Sequence, residues 1–105
     1  MKLWLLEQTK NNDYDTYDSC VVVAETEGDA KSIHPNGESR YRKGYDDYNK
    51  TWRHAWFSKR EDGSDYSAYR GTWVGTPLDV TATCIGEADS SLKEGTVICA
   101  SFNAG

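Results

Sequence analysis

The stretch CVVVA, residues 20–24, is the strongest strand signal in the chain. It is a continuous apolar run with three adjacent valines, and β-branched side chains favour the extended backbone of a sheet. An apolar run without polar alternation is typical of a strand that is covered on both faces. We therefore expect residues 20–24 to form a central strand around which the other segments pack.

Three further segments have the composition of strands. KLWLLEQT at residues 2–9 places apolar side chains on both sides of an extended backbone, DVTATCI at 79–85 alternates, and TVICASF at 96–102 is largely apolar. Because these runs lie near both ends of the chain, we expect the first and last thirds to contribute strands to a shared sheet.

A short helix is predicted directly after the valine run. The side-chain oxygen of Thr26 is placed to accept a hydrogen bond from the amide near Asp29, which is the usual N-cap arrangement. Pro35 disfavours helical geometry at His34, so the helix is expected to end there. A partly cationic imidazole at that end would be favoured by the helix dipole.

The middle of the chain, about residues 38–73, is basic and aromatic. Aromatic residues spaced by 4, 3, 4 and 4 positions favour a helical stripe before about residue 50, although alternation over residues 52–56 also fits a strand with His54 packed between tryptophans. Asp62-Gly63 predicts a hairpin turn. The aromatic residues of the stripe are Tyr41, Tyr45, Tyr48, Trp52 and Trp56.

These segments together predict an α+β fold. The expected order is ββα-insert-ββ, a mainly antiparallel sheet with one short helix packed on one face. At 105 residues the chain has the length of a single domain with one hydrophobic core, so we assign residues 1–105 to one domain with a variable insert at about 38–73.

The thiols and the N-terminus indicate a cytoplasmic protein. Cys20, Cys84 and Cys99 each lie in an apolar run without a CxxC pair, so we expect buried free thiols in a reducing compartment. The apolar run at residues 3–6 is shorter than the ~7–15 residues of a signal peptide or the ~20 of a membrane helix. We expect no membrane association.

The acidic stretch NNDYDTYDSC, residues 11–20, does not fit a calcium loop. Counted from Asn11, the sixth residue is Thr16 where a glycine is needed, and the twelfth is Val22 where a glutamate is needed. We expect a polar connector that binds no metal. The functional alternative is recognition of a basic partner surface by five of its residues, Asp13, Tyr14, Asp15, Tyr17 and Asp18.

Basic and aromatic residues interleave in the middle segment. Such a mixture occurs in sites for single-stranded nucleic acid and in the hot spots of protein interfaces, and the tryptophans are equally compatible with a core role. Nearby acidic residues and the net charge of −5 disfavour phosphate binding, so we favour a protein partner and regard nucleic acid as the alternative. The residues assigned to this surface are Arg42, Tyr45, Trp52 and Trp56.

No catalytic residue is assigned. His34 and His54 are the only histidines, and neither belongs to HExxH, GxSxG or a phosphate-loop motif. Glu87 and Asp89 are two carboxylates in a connection, which is a pattern without specificity. We expect a non-enzymatic protein without a cofactor, with an uncharacterised small-molecule or metal-binding domain as a second alternative.

Several segments resemble a group of small hypothetical proteins encoded by phages and prophages. They are YDTYDSCVVVAE at 14–25, the helix ending in IHP at 33–35, DVTATCIGEAD at 79–89 and ICASFNAG at 98–105. The resemblance implies an accessory protein located in the cytoplasm of a host bacterial cell. Such a protein is expected to bind a host protein complex, CRISPR or other defence machinery included, and to inhibit or redirect it.

Overall fold

A computed structural model describes residues 1–67 and 71–103 of the protein. In those residues the chain forms seven strands, one α-helix and one 3₁₀ turn. In chain order they are β1 (Lys2–Glu7), β2 (Thr16–Ala24), α1 (Glu27–Lys31), β3 (Arg40–Asp46), β4 (Thr51–Lys59), β5 (Asp65–Ser67), the 3₁₀ turn (Pro77–Asp79), β6 (Thr81–Glu87) and β7 (Val97–Asn103).

The first sheet contains four antiparallel strands in the order β6-β1-β2-β7. The first two strands of the chain lie in its centre, and the last two lie at its edges. Trp4 is opposite Val22 on one side and Cys84 on the other, which places these three residues on the same face. The predicted central position of the valine run is confirmed, although β2 begins earlier than expected, at Thr16.

The two faces of the first sheet differ in exposure. Trp4, Leu6 and Val22 are buried against the rest of the molecule, whereas Leu5 and Val21 on the opposite face are half-buried. This difference follows from the alternation of side chains along each strand, because neighbouring residues point to opposite faces. The face with Trp4 is the core face of this sheet.

The helix α1 begins with the N-cap that the sequence predicts. Thr26 Oγ1 accepts a hydrogen bond from the Asp29 amide at 3.1 Å, and Ala30 is fully buried in the core. The helix ends at Lys31, so His34 lies beyond it. The expectation that His34 is a cationic helix end is therefore wrong.

His34 is instead a buried neutral side chain. It is 1% exposed, and its ring packs edge-on against Tyr17 and Trp56. Its Nδ1 accepts a hydrogen bond from the Asn36 amide at 3.0 Å. Burial lowers the pKa of His34 from 6.5 to about 4, because a charged imidazole loses its hydration in this environment.

The second sheet contains three antiparallel strands in the order β3-β4-β5. The helix expected before residue 50 is wrong, since residues 40–46 and 51–59 pair as strands with Tyr41 opposite Trp56 and Tyr45 opposite Trp52. A spacing of four residues keeps side chains on one face of a strand as well as of a helix. The spacing alone therefore did not distinguish the two structures.

Two turns connect the strands of the second sheet. The turn at residues 47–50 ends with Lys50 at a φ of 55°, and the next turn has Gly63 at a φ of 86°. Lys59 pairs with Asp65 across the second turn, which confirms the hairpin predicted around Gly63. His54 is exposed, so the expectation that it packs between tryptophans is wrong.

One hydrophobic cluster includes residues from both sheets. Trp56 Nε1 donates to the Val74 carbonyl at 2.8 Å, and Trp4 Nε1 donates to the Ala24 carbonyl at 3.1 Å, so both indoles are hydrogen-bonded within the interior. The buried members of the cluster are Trp4, Leu6, Cys20, Val22, Ala24, Ala30, Ile33, Trp56, Trp73, Val74 and Val80.

The cysteines are free but are not all buried. Cys20 lies in the core, whereas Cys84 and Cys99 are exposed. The expectation of three buried thiols is wrong for the latter two because β6 and β7 are edge strands with mostly exposed side chains.

The mainly antiparallel architecture with a short helix against the sheet is confirmed for the described residues. Within the same residues, the helices are too short and too polar to cross a membrane.

Candidate partner-binding cleft

A cleft of about 300 Å³ opens on the second sheet. It lies where the turn between β3 and β4 approaches the turn between β4 and β5, and it has both apolar and charged walls. We refer to it as the hairpin cleft. The residues that line it are Tyr45, Asp47, Trp52, Lys59, Gly63, Ser64 and Asp65.

The apolar wall is an aromatic pair. Tyr45 on β3 and Trp52 on β4 occupy opposite positions in the ladder, and their rings meet edge-on with centroids 5.4 Å apart. Directly opposed aromatic residues on neighbouring strands stabilise each other in this geometry. Trp52 nevertheless remains 62% exposed. A large apolar side chain is therefore held in a fixed position and left open to solvent.

The polar wall is centred on Asp65. Its carboxylate accepts hydrogen bonds from Arg42 at 3.0 Å and from the Tyr45 amide at 3.3 Å, and it lies 2.8 Å from Lys59 Nζ. The Arg42 and Lys59 cations, followed by the hydrogen bond from the Tyr45 amide, hold the pKa of Asp65 well below its usual range. The carboxylate is therefore ionised and is held in place by these structural contacts.

The two turns that border the cleft are linked by Arg60. Its guanidinium lies 3.1 Å from the Asp47 carboxylate on the first turn and donates to the Asp65 carbonyl at 2.7 Å. The same nitrogen also donates to Ser64 Oγ at 3.2 Å. Each surface ion pair contributes little by itself, but several contacts from one side chain restrict how far the turns can separate.

Behind the cleft, β3 and β4 are packed around Phe57. This ring is 1% exposed, and the Arg42 and Arg53 guanidinium carbons lie 5.5 and 5.9 Å from its centroid. A Cβ atom at Gly44 would come within 2.7 Å of the ring, so only glycine leaves room for it. Arg53 is in turn bound to Asp46 at 2.7 Å.

Asp46 also fixes the first turn. Its carboxylate accepts hydrogen bonds from the Tyr48 amide, from the Asn49 amide and side chain, and from Arg53, between 2.7 and 3.1 Å. The Asn49 hydrogen bonds and then the Arg53 contact lower the pKa of Asp46 to about 2. Tyr48, at the tip of the turn, is 93% exposed.

Most of the described basic side chains in the middle segment are already paired. Four of them contact aspartates within the second sheet: Arg42 and Lys59 with Asp65, Arg53 with Asp46, and Arg60 with Asp47. Arg40 donates to the Gly95 carbonyl at 3.3 Å. These contacts neutralise much of the positive charge that a phosphate backbone would require.

The acidic stretch is located elsewhere. Asp13, Tyr14 and Asp15 are exposed in the connection before β2, whereas Tyr17 and Asp18 lie on β2 itself. The connection is fixed by hydrogen bonds from the Asn11 side chain to the Gly71 and Trp73 carbonyls, and from the Tyr17 amide to the Thr72 carbonyl. It is therefore attached to residues 71–73 rather than to the hairpin cleft.

The nine residues predicted to bind a partner thus fall into separate groups. Tyr45 and Trp52 line the hairpin cleft, and Arg42 supports it through Asp65. Trp56 is 1% exposed in the core and takes no part in the surface. The remaining five belong to the acidic connection and the start of β2. They are Asp13, Tyr14, Asp15, Tyr17 and Asp18.

Tyr17 differs from the other residues of the acidic group. Its ring packs edge-on against Phe102 at 4.8 Å and against His34 at 6.1 Å, so it is half-buried beside the core. Only its outer edge is available to a partner. In residues 1–67 and 71–103, no group of three or more histidine, cysteine or acidic side chains is arranged to hold a metal ion.

Sequence reasoning did not assign four polar residues of the cleft: Asp47, Lys59, Ser64 and Asp65. The signal that could have found Lys59, Ser64 and Asp65 is the hairpin turn at Asp62-Gly63, because residues on either side of a tight turn lie close together. The approach of Asp65 to the Tyr45 amide on β3 is a tertiary contact that local patterns do not encode.

Comparison with known proteins gave no match. The sequence matches no protein family, no curated protein and no solved structure.

Proposed function

We propose that this protein is a non-enzymatic binding protein that attaches to a partner protein through the hairpin cleft. The observation that carries the proposal is the exposed indole of Trp52, held edge-on against Tyr45 at the mouth of the cleft. Tryptophan, tyrosine and arginine are the residues most enriched in the energetic centres of protein interfaces.

The cleft is suited to a side chain of the partner rather than to a large ligand. Its volume of about 300 Å³ lies at the lower end of the range for small-molecule sites. The aromatic wall offers contact area to an apolar or cationic group, and Ser64 and Asp47 offer polar contacts at the rim. Because the Arg60 contacts and the Asp46 hydrogen bonds already restrict the turns, little conformational entropy would be lost on binding.

The polar residues of the cleft are poor candidates for acid–base chemistry. Asp65 is held ionised by Arg42 and Lys59, so it is a weak proton acceptor. The Ser64 hydroxyl donates to Asp62 at 2.6 Å, and no histidine lines the cleft. These contacts support a binding role over a catalytic one.

The biological setting that we propose rests on the resemblance to phage and prophage proteins. In that setting the strands near the two ends form a scaffold, residues 38–73 are an insert that presents the binding surface, and the target is a host protein complex in the bacterial cytoplasm. Binding would inhibit or redirect that complex, with anti-CRISPR or other anti-defence activity as the specific form.

The test compares two substitutions at exposed apolar residues. A complex captured from host lysate by the wild-type protein is titrated with Trp52→Ala and with Leu78→Ala, a control because Leu78 is 91% exposed on the 3₁₀ turn before β6. We expect Trp52→Ala to weaken binding by 2 kcal/mol or more, about thirtyfold, and Leu78→Ala to leave it unchanged. Equal affinity of both variants would contradict the proposal.

Salt dependence separates this proposal from nucleic-acid binding. Affinity for a nucleic acid falls steeply with salt because bound counterions are released from the phosphates. We expect binding of the captured protein to persist between low and physiological salt, and to survive nuclease treatment. Loss of the complex on nuclease treatment would favour the alternative.

A further inference from the structure

Two basic residues lie beside the aromatic pair of the hairpin cleft. Lys43 on β3 and His54 on β4 are directly opposite each other in the ladder, and the pair two residues nearer the turn is Tyr45 and Trp52. The ladder has no bulge over residues 40–46, so alternation places both pairs on the same face of the sheet. Lys43 and His54 are exposed, and we refer to them as the basic pair.

The carboxylates of the second sheet are occupied by other cations. Three aspartates are paired with arginine or lysine side chains: Asp46 with Arg53, Asp47 with Arg60, and Asp65 with Arg42 and Lys59. Asp46 also lies on the sheet face opposite the basic pair, because it alternates with Tyr45. In residues 1–67 and 71–103, no carboxylate lies within ion-pair distance of Lys43. The charge that remains open beside Trp52 is therefore positive.

The charge of the chain is divided between its two sheets. Residues 40–67 contain seven basic and five acidic residues, whereas the whole chain has a net charge of −5. The two other acids of this segment, Glu61 and Asp62, belong to the turn on the polar side of the cleft. A negatively charged segment is therefore attracted to the basic pair and repelled by most of the remaining surface.

We propose that the hairpin cleft and the basic pair together bind an acidic segment of the partner protein, in which an apolar side chain is flanked by carboxylates. This inference rests on the proposed function and adds the chemistry of the partner. The apolar side chain enters the cleft against Trp52, and a neighbouring carboxylate accepts hydrogen bonds from Lys43 and His54.

The spacing of the two pairs fits an extended segment. Residues two positions apart in a strand are separated by about 7 Å, which is the distance along β3 from Tyr45 to Lys43. An extended peptide presents its own alternate side chains at the same interval. A carboxylate two residues from the apolar side chain therefore reaches the basic pair while that side chain stays in the cleft.

Charge distinguishes this occupant from two others. A basic segment would be repelled by Lys43. A nucleic acid releases its counterions to several cations at once, and the pairing of Arg42, Arg53 and Arg60 leaves too few of them open. One or two carboxylates are matched by the basic pair, because charge-assisted hydrogen bonds to carboxylates are stronger than neutral ones.

The first test reverses one charge beside the cleft and one elsewhere. The captured partner is titrated with wild type, Lys43→Glu and Lys10→Glu, where Lys10 is an exposed lysine in the connection after β1. Both substitutions change the net charge equally. We expect Lys43→Glu to weaken binding by about fivefold or more at low salt, and Lys10→Glu to leave it unchanged. The effect should narrow at higher salt, because exposed charges are screened.

Two measurements accompany this titration. Lys43→Gln removes the charge without reversing it, so its loss of affinity should be intermediate, and unaltered urea midpoints would show that the variants fold. Equal affinities of Lys43→Glu and Lys10→Glu would overturn the inference. In that case, weaker binding by Trp52→Ala would leave the proposed function standing, whereas unchanged binding by Trp52→Ala would contradict both.

The second test uses peptides of known chemistry. The probe is a short peptide with a central leucine and a glutamate two residues away on each side, and matched peptides carry glutamine or lysine at those positions. In NMR titrations of the full chain, we expect the glutamate peptide to shift the Trp52 indole signal and the amide signals of Lys43 and His54. The glutamine peptide should bind more weakly, and the lysine peptide should cause no shift.

Other occupants give different results in the same experiments. Equal binding of the three peptides, or tightest binding of the lysine peptide, would overturn the inference. So would tighter binding of oligothymidylate than of the glutamate peptide at physiological salt, because the site would then favour nucleic acid. Self-association of the isolated chain that Lys43→Glu abolishes would overturn it as well, since the acidic stretch of a second copy would then be the occupant.

Discussion

Protonation of His34 is expected to destabilise the protein between pH 6.5 and pH 4. In the folded state Nδ1 accepts from the Asn36 amide at 3.0 Å, and the Thr72 hydroxyl lies 3.5 Å from Nε2. Protonation of Nδ1 would convert this acceptor into an N–H donor that faces the N–H of the Asn36 amide, and the hydrogen bond would be lost. The surroundings are the rings of Tyr17 and Trp56, which do not replace the hydration of a charged imidazole.

The size of the effect follows from linkage. The pKa of His34 is lowered from 6.5 to about 4 by burial, so the unfolded chain takes up the proton first as the pH falls. The stabilisation by neutral His34 is complete above pH 6.5 and is lost as the pH approaches 4. The expected loss in free energy of unfolding is about 2 kcal/mol at pH 5 and about 3 kcal/mol at pH 4.

Urea denaturation followed by tryptophan fluorescence measures this loss. His34→Asn keeps a side-chain acceptor but cannot titrate. The difference in free energy of unfolding between wild type and this variant should therefore shrink by about 2 kcal/mol between pH 7 and pH 5. His54→Asn is the matched control, because His54 is exposed. The reasoning is refuted if His34→Asn has the same pH dependence as wild type, or if NMR shows that His34 titrates near pH 6.5.

Three further predictions concern other parts of the fold. Gly44→Ala should destabilise the protein by about 1–3 kcal/mol in the same urea assay, because the added Cβ meets the Phe57 ring. The control is Gly28→Ala in α1, whose Cβ meets no atom within 4 Å and which should be neutral or stabilising. Equal stability of the two variants would contradict this packing. Asp65→Asn should make the free energy of unfolding less dependent on pH below about pH 4, since a lowered folded-state pKa of Asp65 adds stability that disappears on acidification. The same pH dependence in wild type and variant would argue against the Arg42 and Lys59 contacts. A thiol reagent should label Cys84 and Cys99 in the native protein and Cys20 only after unfolding, because burial raises the pKa of Cys20 to about 12; rapid labelling of Cys20 would contradict its position in the core.

Local signals predicted the first sheet well. The valine run and the Thr26 cap depend on residues that are neighbours in sequence, and both were located correctly. The middle segment was harder, because spacings of four residues fit a helix and also one face of a strand. Residues 47–50 form a turn within the aromatic stripe. The aromatic residues of the two strands on either side of this turn therefore have the spacing that is expected of a single helix.

The candidate site could be predicted only in part. Tyr45 and Trp52 were identified from composition, since exposed aromatics among charges are typical of interfaces. Trp56 is surrounded by the same kinds of residue in the sequence, yet its side chain is buried in the core and its indole donates to the Val74 carbonyl. Asp65 joins the cleft through contacts with β3, and such contacts depend on the curvature of the sheet rather than on any local pattern.

Amide hydrogen exchange of the protein, free and bound to its captured partner, tests the central claim most directly. We expect protection on binding in residues 43–54 and 59–65, the two hairpins that form the cleft, with the 13–18 segment unchanged. Protection confined to residues 13–18 or to β7, with the cleft exchanging as in the free protein, would contradict the claim that the hairpin cleft is the partner-binding site.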